Sequence, residues 1–230
     1  MSAIRTLHVD DEPDIREIVD ISLSLNSDFE LRSCASGAEA IVVAAEWLPF
    51  LILLDVMMPE MDGPTTLANL RKNPQTSDIP VFFMTARAQT REIDRFLALG
   101  AQGVILKPFD PMTLAADVRK QFQALRLATL RGIFVRRAKT DAALLKQQLS
   151  RRSGDWDAAA LDQVRQIADG LAAAAFLVGF AEISGAAGAV EKAARAKLGG
   201  SDAQTDLAPA LDRLLLRLDN DFNEPSTAVA

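Results

Sequence analysis

The chain has one cysteine, Cys34, and one histidine, His8, among 230 residues. A lone cysteine cannot close an internal disulfide, so the fold rests on its apolar core, as suits a reducing compartment, and a cytoplasmic location is expected. Apolar runs are short. Leu171–Val178 is eight residues long, far below what a membrane span needs. The N-terminus enters a strand pattern directly, so no signal peptide is expected. No Gly/Ser/Pro-rich linker interrupts the chain, although its length suits two modest domains, each with its own core.

Charge is uneven. Residues 1–124 carry 11 basic and 18 acidic side chains, a balance of −7. Residues 126–152 carry eight basic side chains against one acid, Asp141. The remainder is acidic again, and the isoelectric point is about 4.9. The basic segment is the one place where an acidic partner or nucleic acid would be attracted. It also reads as a solvated helix face that complements the acidic first half, and that reading is preferred.

Apolar strand patterns lie near 4–9, 29–34, 50–54, 79–84 and 103–106, each followed by a helical pattern. After the first, Ile15, Ile18, Val19, Ser22 and Leu25 recur at helical spacing behind Pro13. After the third, Pro64 opens a helix with Leu67 and Leu70 inward. After the fourth, Ile93, Phe96 and Leu97 form a face that stops at Gly100. Such alternation predicts an α/β fold with a five-stranded parallel, doubly wound sheet covered on both sides.

Two of these strands end in carboxylates: Asp10 and Asp11 after the first, Asp55 after the third. Acidic groups gathered at the carboxyl edge of a parallel sheet repel one another unless a hard divalent cation lies between them. Thr85 ends the fourth strand, and Lys107, followed by Pro108, ends the fifth. A hydroxyl and an ammonium there supply a hydrogen bond and a compensating charge.

Asp10, Asp11, Asp55, Thr85 and Lys107, in this order, resemble the receiver domain of two-component response regulators over about residues 3–122. The resemblance implies a flavodoxin-like fold, Asp55 as phosphoacceptor, and Mg²⁺ held by Asp10, Asp11, Asp55 and the backbone carbonyl of Met57. It implies that Thr85 and Lys107 contact the phosphoryl group, that Lys107–Pro108 is a cis peptide, and that a sensor histidine kinase or phosphotransfer protein is the donor. One position departs. Where the family often carries Tyr or Phe, three residues before the bridging lysine, stands Val104. Signalling is therefore expected to run through Thr85, the loop after it and the helix at about 89–99.

Beyond residue 125 the pattern is helical. Phe134, Ala138, Leu145 and Leu149 begin a new apolar face. Three further stripes follow: Leu161/Val164/Ala168/Leu171/Ala175, Ile183/Ala187/Val190/Ala194 and Leu207/Leu211/Leu214/Leu215/Leu218. Breaks at Ser153-Gly154-Asp155, Gly179 and Gly199-Gly200 predict an antiparallel four-helix bundle. The expected division is 1–125, 126–222 and a flexible tail, 223–230.

The run from Ile167 to Phe180, with Val190-Glu191 on the next helix, resembles a histidine phosphotransfer (Hpt) domain. Asp169 occupies the position of the active histidine, and Ala172 and Ala173 replace the usual Lys and Gly. A lone carboxylate cannot stand in for the nitrogen nucleophile. His8, inside a strand, reads as a core histidine with a satisfied hydrogen bond. Asp169, Ala172, Ala173 and Phe176 share a helix face, which is either a docking surface for a downstream protein or buried in the bundle.

A phosphoaccepting regulator with a non-catalytic interaction domain is the expected function. A phosphate sink with a dimerising bundle, or a transcriptional regulator touching DNA through 126–152, are the alternatives. Nucleic acid is not expected as a partner, a homodimer is allowed, and no cyclase, phosphodiesterase or ATPase motif suggests an enzymatic output.

Overall fold

The computed structural model describes residues 3–86, 89–150, 156–200 and 206–223. The chain divides into two compact units, residues 1–125 and 126–230.

The first unit is a five-stranded parallel sheet in the order β2-β1-β3-β4-β5. Its strands are β1 (Ile4–Val9), β2 (Phe29–Cys34), β3 (Leu51–Asp55), β4 (Val81–Thr85) and β5 (Gly103–Leu106). Helices α1 (Pro13–Ser24), α2 (Gly37–Trp47), α3 (Gly63–Lys72), α4 (Thr90–Ala98) and the start of α5 (Leu114–Ser150) connect and cover them. The predicted fold class is the observed one.

The middle strands β3 and β4 are buried at every residue, as strands covered on both faces must be. Alternate side chains divide between two cores. Ile52, Leu54 and Phe83 pack with Ala44, Leu67 and Phe96. Leu51, Leu53 and Phe82 pack with Val19, Leu23 and Val118 on the other face. Each such large side chain contributes about 1.5–3 kcal/mol on burial.

Helix starts follow local chemistry. Ser36 accepts from the Glu39 backbone N–H, and Asp62 from that of Thr65, with Pro64 in the first turn of α3. The inward face of α1 is shifted from the one read: Val19 and Ser22 point in and Ile15 packs on the core, but Leu23 joins them in place of Ile18 and Leu25. Ile18 and Leu25 lie at the surface. Leu97 is likewise exposed and Phe96 alone anchors α4. A short helix resting on a sheet has a narrow contact line, and apolar residues at its margins stay wet.

The second unit is all helical: the remainder of α5, then α6 (Ala158–Leu177), α7 (Ala181–Leu198) and α8 (Leu207–Asn223). All of the residues read as the stripes of α6, α7 and α8 are buried in one core with Phe134, Ala138 and Leu145. Gly179 (φ +83°) closes α6 in the left-handed region. Phe134, Phe180 and Phe222 form an aromatic cluster with ring centroids 5.3–6.1 Å apart. The break read at Ser153-Gly154-Asp155, residues 224–230 of the expected tail, and Arg87 and Ala88 of the proposed signalling loop lie outside the described residues.

Candidate functional site

The parallel register delivers the chemistry. β1 runs out at Val9, so Asp10 emerges at the carboxyl edge; β3 ends on Asp55, β4 on Thr85 and β5 one residue before Lys107. The Lys107 N–H donates to the Thr85 carbonyl at 2.8 Å and the Val56 N–H to that of Met84 at 3.1 Å, which holds these ends level. The Lys107–Pro108 peptide is cis.

Lys107 is the centre of the site. Its Nζ donates to Asp10 Oδ2 and to Asp55 Oδ1, both at 2.6 Å. Asp10 is fully buried and Asp55 nearly so. The second oxygen of Asp10 accepts from the Glu12 N–H at 3.0 Å, and Oδ2 of Asp55 from the Met57 N–H at 2.7 Å. Burial alone pulls the ammonium of Lys107 toward losing its proton. Its hydrogen bonds to Asp10 and Asp55 outweigh that, and its pKa stands above the ordinary lysine value. Burial pushes the carboxyl of Asp10 upward, against the hydrogen bond from Lys107.

The structure thus brings together Asp10, Asp55 and Lys107, with Thr85 buried at the end of the adjacent strand. The gathering of three carboxylates expected from the pattern is instead two carboxylates around an ammonium. Among the described residues no three His, Cys, Asp or Glu side chains form a metal-binding group. Asp11 is half-buried beside the site, and Met57 is exposed. Val104 is half-buried against the core, where no ring is present to move.

Two positioning residues escaped the sequence reading. Arg16, one turn into α1, donates through one guanidinium nitrogen to the carbonyls of Asp10 (2.6 Å) and Asp11 (2.9 Å) and so fixes the acidic loop. An arginine following an acidic cluster reads as a surface charge, so nothing in the pattern marks it. Gly63 donates its N–H to the Val56 carbonyl at 3.0 Å, and a Cβ there would strike the Asp55 carbonyl and sit 2.9 Å from Val56 Cα. Only glycine lets the α3 start pass so close to the end of β3.

His8 corrects an expectation. It is fully buried, as expected of a strand histidine, but neither ring nitrogen has a hydrogen-bond partner. Burial, followed by the nearby charges of Lys107 and Arg16, lowers its pKa to about 3. It is a neutral ring near the positive charges of Lys107 and Arg16.

In the second unit Asp169, Ala173 and Phe176 are exposed and Ala172 is half-buried. Phe176 is 75% exposed, so α6 is not buried all round.

The family model described as response regulator receiver domain matches residues 6–119. Among curated proteins, the chain is similar to "Response regulator Rre1" of Synechocystis sp., 34% identical over 154 residues, which is 66% of this chain and 67% of that one. It is also similar to the "DNA-binding dual master transcriptional regulator RpaA" of the same organism, 35% identical over 50% of this chain and 47% of that one. For that second relative the chain spans only about half its length. Among solved structures, chemotaxis response regulator CheY4 of Vibrio cholerae is 30% identical, covering 53% of this chain and 99% of its own, with a TM-score of 0.49.

Proposed function

The chain belongs to the response-regulator family, and from that premise we propose that it accepts a phosphoryl group on Asp55 and that its helical unit is a non-catalytic, protein-binding output. The observation that carries this reading is the Lys107 ammonium clamped between Asp10 and Asp55 at 2.6 Å. Oδ2 of Asp55 attacks phosphorus, and the bond from phosphorus to the donor's leaving atom breaks with its electron pair on that atom. The new acyl phosphate adds negative charge beside Asp10. Lys107 offsets that charge, and Thr85, at the end of the neighbouring strand, supplies a hydroxyl to it.

The donor set suits Mg²⁺. It is all oxygen, carboxylates and one backbone carbonyl, the ligand type that Mg²⁺ takes while keeping several waters. Asp10, Asp11, Asp55 and the Met57 carbonyl would hold the ion. When bound, the ion neutralises phosphoryl oxygens during transfer. The donor would be a sensor histidine kinase or a phosphotransfer protein. Incubation with acetyl phosphate and Mg²⁺ should add one phosphate by intact mass, and Asp55→Ala should add none. Full labelling of that variant would remove the assignment.

For the helical unit, the Hpt-like pattern with Asp169 in place of histidine supports a bundle that keeps a docking face without the chemistry of transfer. The exposure of Asp169, Ala173 and Phe176, beside half-buried Ala172, favours that reading. Residues 1–125 and 126–222 would act as receiver and output.

A second reading is DNA contact through the basic part of α5. It is favoured by the name of the relative RpaA and by the cations at 126–150. It weakens the expectation that nucleic acid is no partner. A gel-shift titration against salt decides it, because binding through these cations must fall steeply as salt rises. Kinase output measured with and without the helical unit separates both readings from a phosphate sink.

A further inference from the structure

Arg16 takes three consecutive carbonyls. Its backbone N–H donates to the Glu12 carbonyl at 3.1 Å. One guanidinium nitrogen donates to the carbonyls of Asp10 at 2.6 Å and Asp11 at 2.9 Å. The turn from β1 into α1 is thereby held at each of its residues. An arginine this close to two aspartates would ordinarily pair with a carboxylate. Among the described residues Arg16 forms no ion pair, and the backbone receives its donors instead.

The three carboxylates at this edge are not equally held. Asp10 accepts from Lys107 and from the Glu12 N–H. Asp55 accepts from Lys107 and from the Met57 N–H. Asp11 is half-buried, and among the described residues its carboxylate accepts no hydrogen bond and joins no ion pair. Its direction follows from its backbone alone, and Arg16 holds that backbone by the carbonyl. Removing the guanidinium therefore frees Asp11 first and leaves the bonds around Lys107 in place.

Two divalent cations respond differently to a loosened ligand. Mg²⁺ demands near-ideal octahedral coordination at short distances, whereas Ca²⁺ accepts more oxygens in a flexible geometry. Both carry the same charge, so the guanidinium repels them alike. The ratio of their affinities therefore separates the effect of position from the effect of charge. We propose that Arg16 is a positioning residue that gives the acidic site its preference for Mg²⁺ over Ca²⁺, acting through the backbone of Asp11. This rests on the reading of Asp10, Asp11, Asp55 and the Met57 carbonyl as the metal site, and it names the residue that sets the selectivity of that site.

The test is calorimetric titration of the full chain with Mg²⁺ and with Ca²⁺, without a phosphodonor. The parent should bind Mg²⁺ more tightly. Arg16→Met removes the donor and the charge but keeps an unbranched stem. It should lower the ratio of Mg²⁺ to Ca²⁺ affinity about tenfold, the usual scale for losing a group that orients a metal ligand. Arg16→Lys keeps the charge on a stem one bond shorter, and should lower the ratio about threefold. In an Asp11→Ala background Arg16→Met should leave the ratio within about twofold, because the side chain it steers is gone. Melts by circular dichroism without divalent ions check folding, and if Arg16→Met fails to fold, Arg16→Lys carries the same comparison. A parent that prefers Ca²⁺, equal weakening of both ions, or a ratio unmoved by both substitutions overturns the proposal. So does the same fall in ratio when Asp11 is absent. A parent that binds neither ion removes the metal-site reading together with the proposal. A parent that binds Mg²⁺ with a ratio indifferent to Arg16 removes the proposal alone.

Discussion

Replacing His8 with leucine should abolish an acid sensitivity that the wild-type receiver carries in its core. The folded imidazole is held to about 3 by burial and by Lys107 and Arg16, against 6.5 in an ordinary setting. Between those values the unfolded chain binds a proton that the folded chain refuses, so stability falls as pH drops through 6.5 toward 3. At pH 5 the unfolded imidazole is almost fully protonated and the folded one is not. The cost through this group is about 2 kcal/mol, whereas at pH 7 it is only about 0.2 kcal/mol. The raised carboxyl of Asp10 acts in the opposite sense, but it is present in both chains and cancels in the comparison. Leucine also removes two ring nitrogens that find no partner, so the variant should be at least as stable at pH 7. The assay is urea unfolding at both pH values, without divalent metal. A Trp156→Phe background leaves Trp47 as the one tryptophan, reporting the sheet unit. The parent should lose about 2 kcal/mol more than His8→Leu between pH 7 and pH 5. Parallel losses in the two chains would refute the reasoning.

Lys107→Ala and Thr85→Ala should spoil the response to phosphorylation more than Mg²⁺ binding, since neither side chain is a proposed metal ligand; equal losses in fluorescence metal titration and phosphorylation-dependent partner binding would contradict that division. Gly63→Ala should destabilise the receiver by about 1–3 kcal/mol, because its new methyl meets the backbone of Asp55 and Val56; an unchanged urea midpoint would mean that α3 shifts freely. Phe176→Ala, at a side chain 75% exposed, should change stability by no more than about 0.5 kcal/mol, whereas Leu171→Ala, buried in the bundle core, should cost about 2–5 kcal/mol. Similar melting temperatures for those two variants would overturn the assignment of inside and outside on α6.

The order of elements and the sheet edge were legible in the residues themselves. Short apolar runs between helical patterns permit few arrangements, and a run that ends in Asp55 or just before Lys107 places that group where parallel strands stop. The stripes of α6, α7 and α8 were also legible, because a period of 3.6 residues is a local property. What a side chain meets across the fold was not. No pattern tells that Lys107 reaches both Asp10 and Asp55, for it stands 97 and 52 residues from them. None tells that Arg16 turns back onto two carbonyls, or that His8 is left without a partner. Exposure of Ile18, Leu97 and Phe176 was likewise settled only by how much surface each helix has to lean on. Periodicity is encoded along the chain, whereas pairing, burial depth and local field are sums over neighbours distant in sequence, and only the folded arrangement brings those neighbours together.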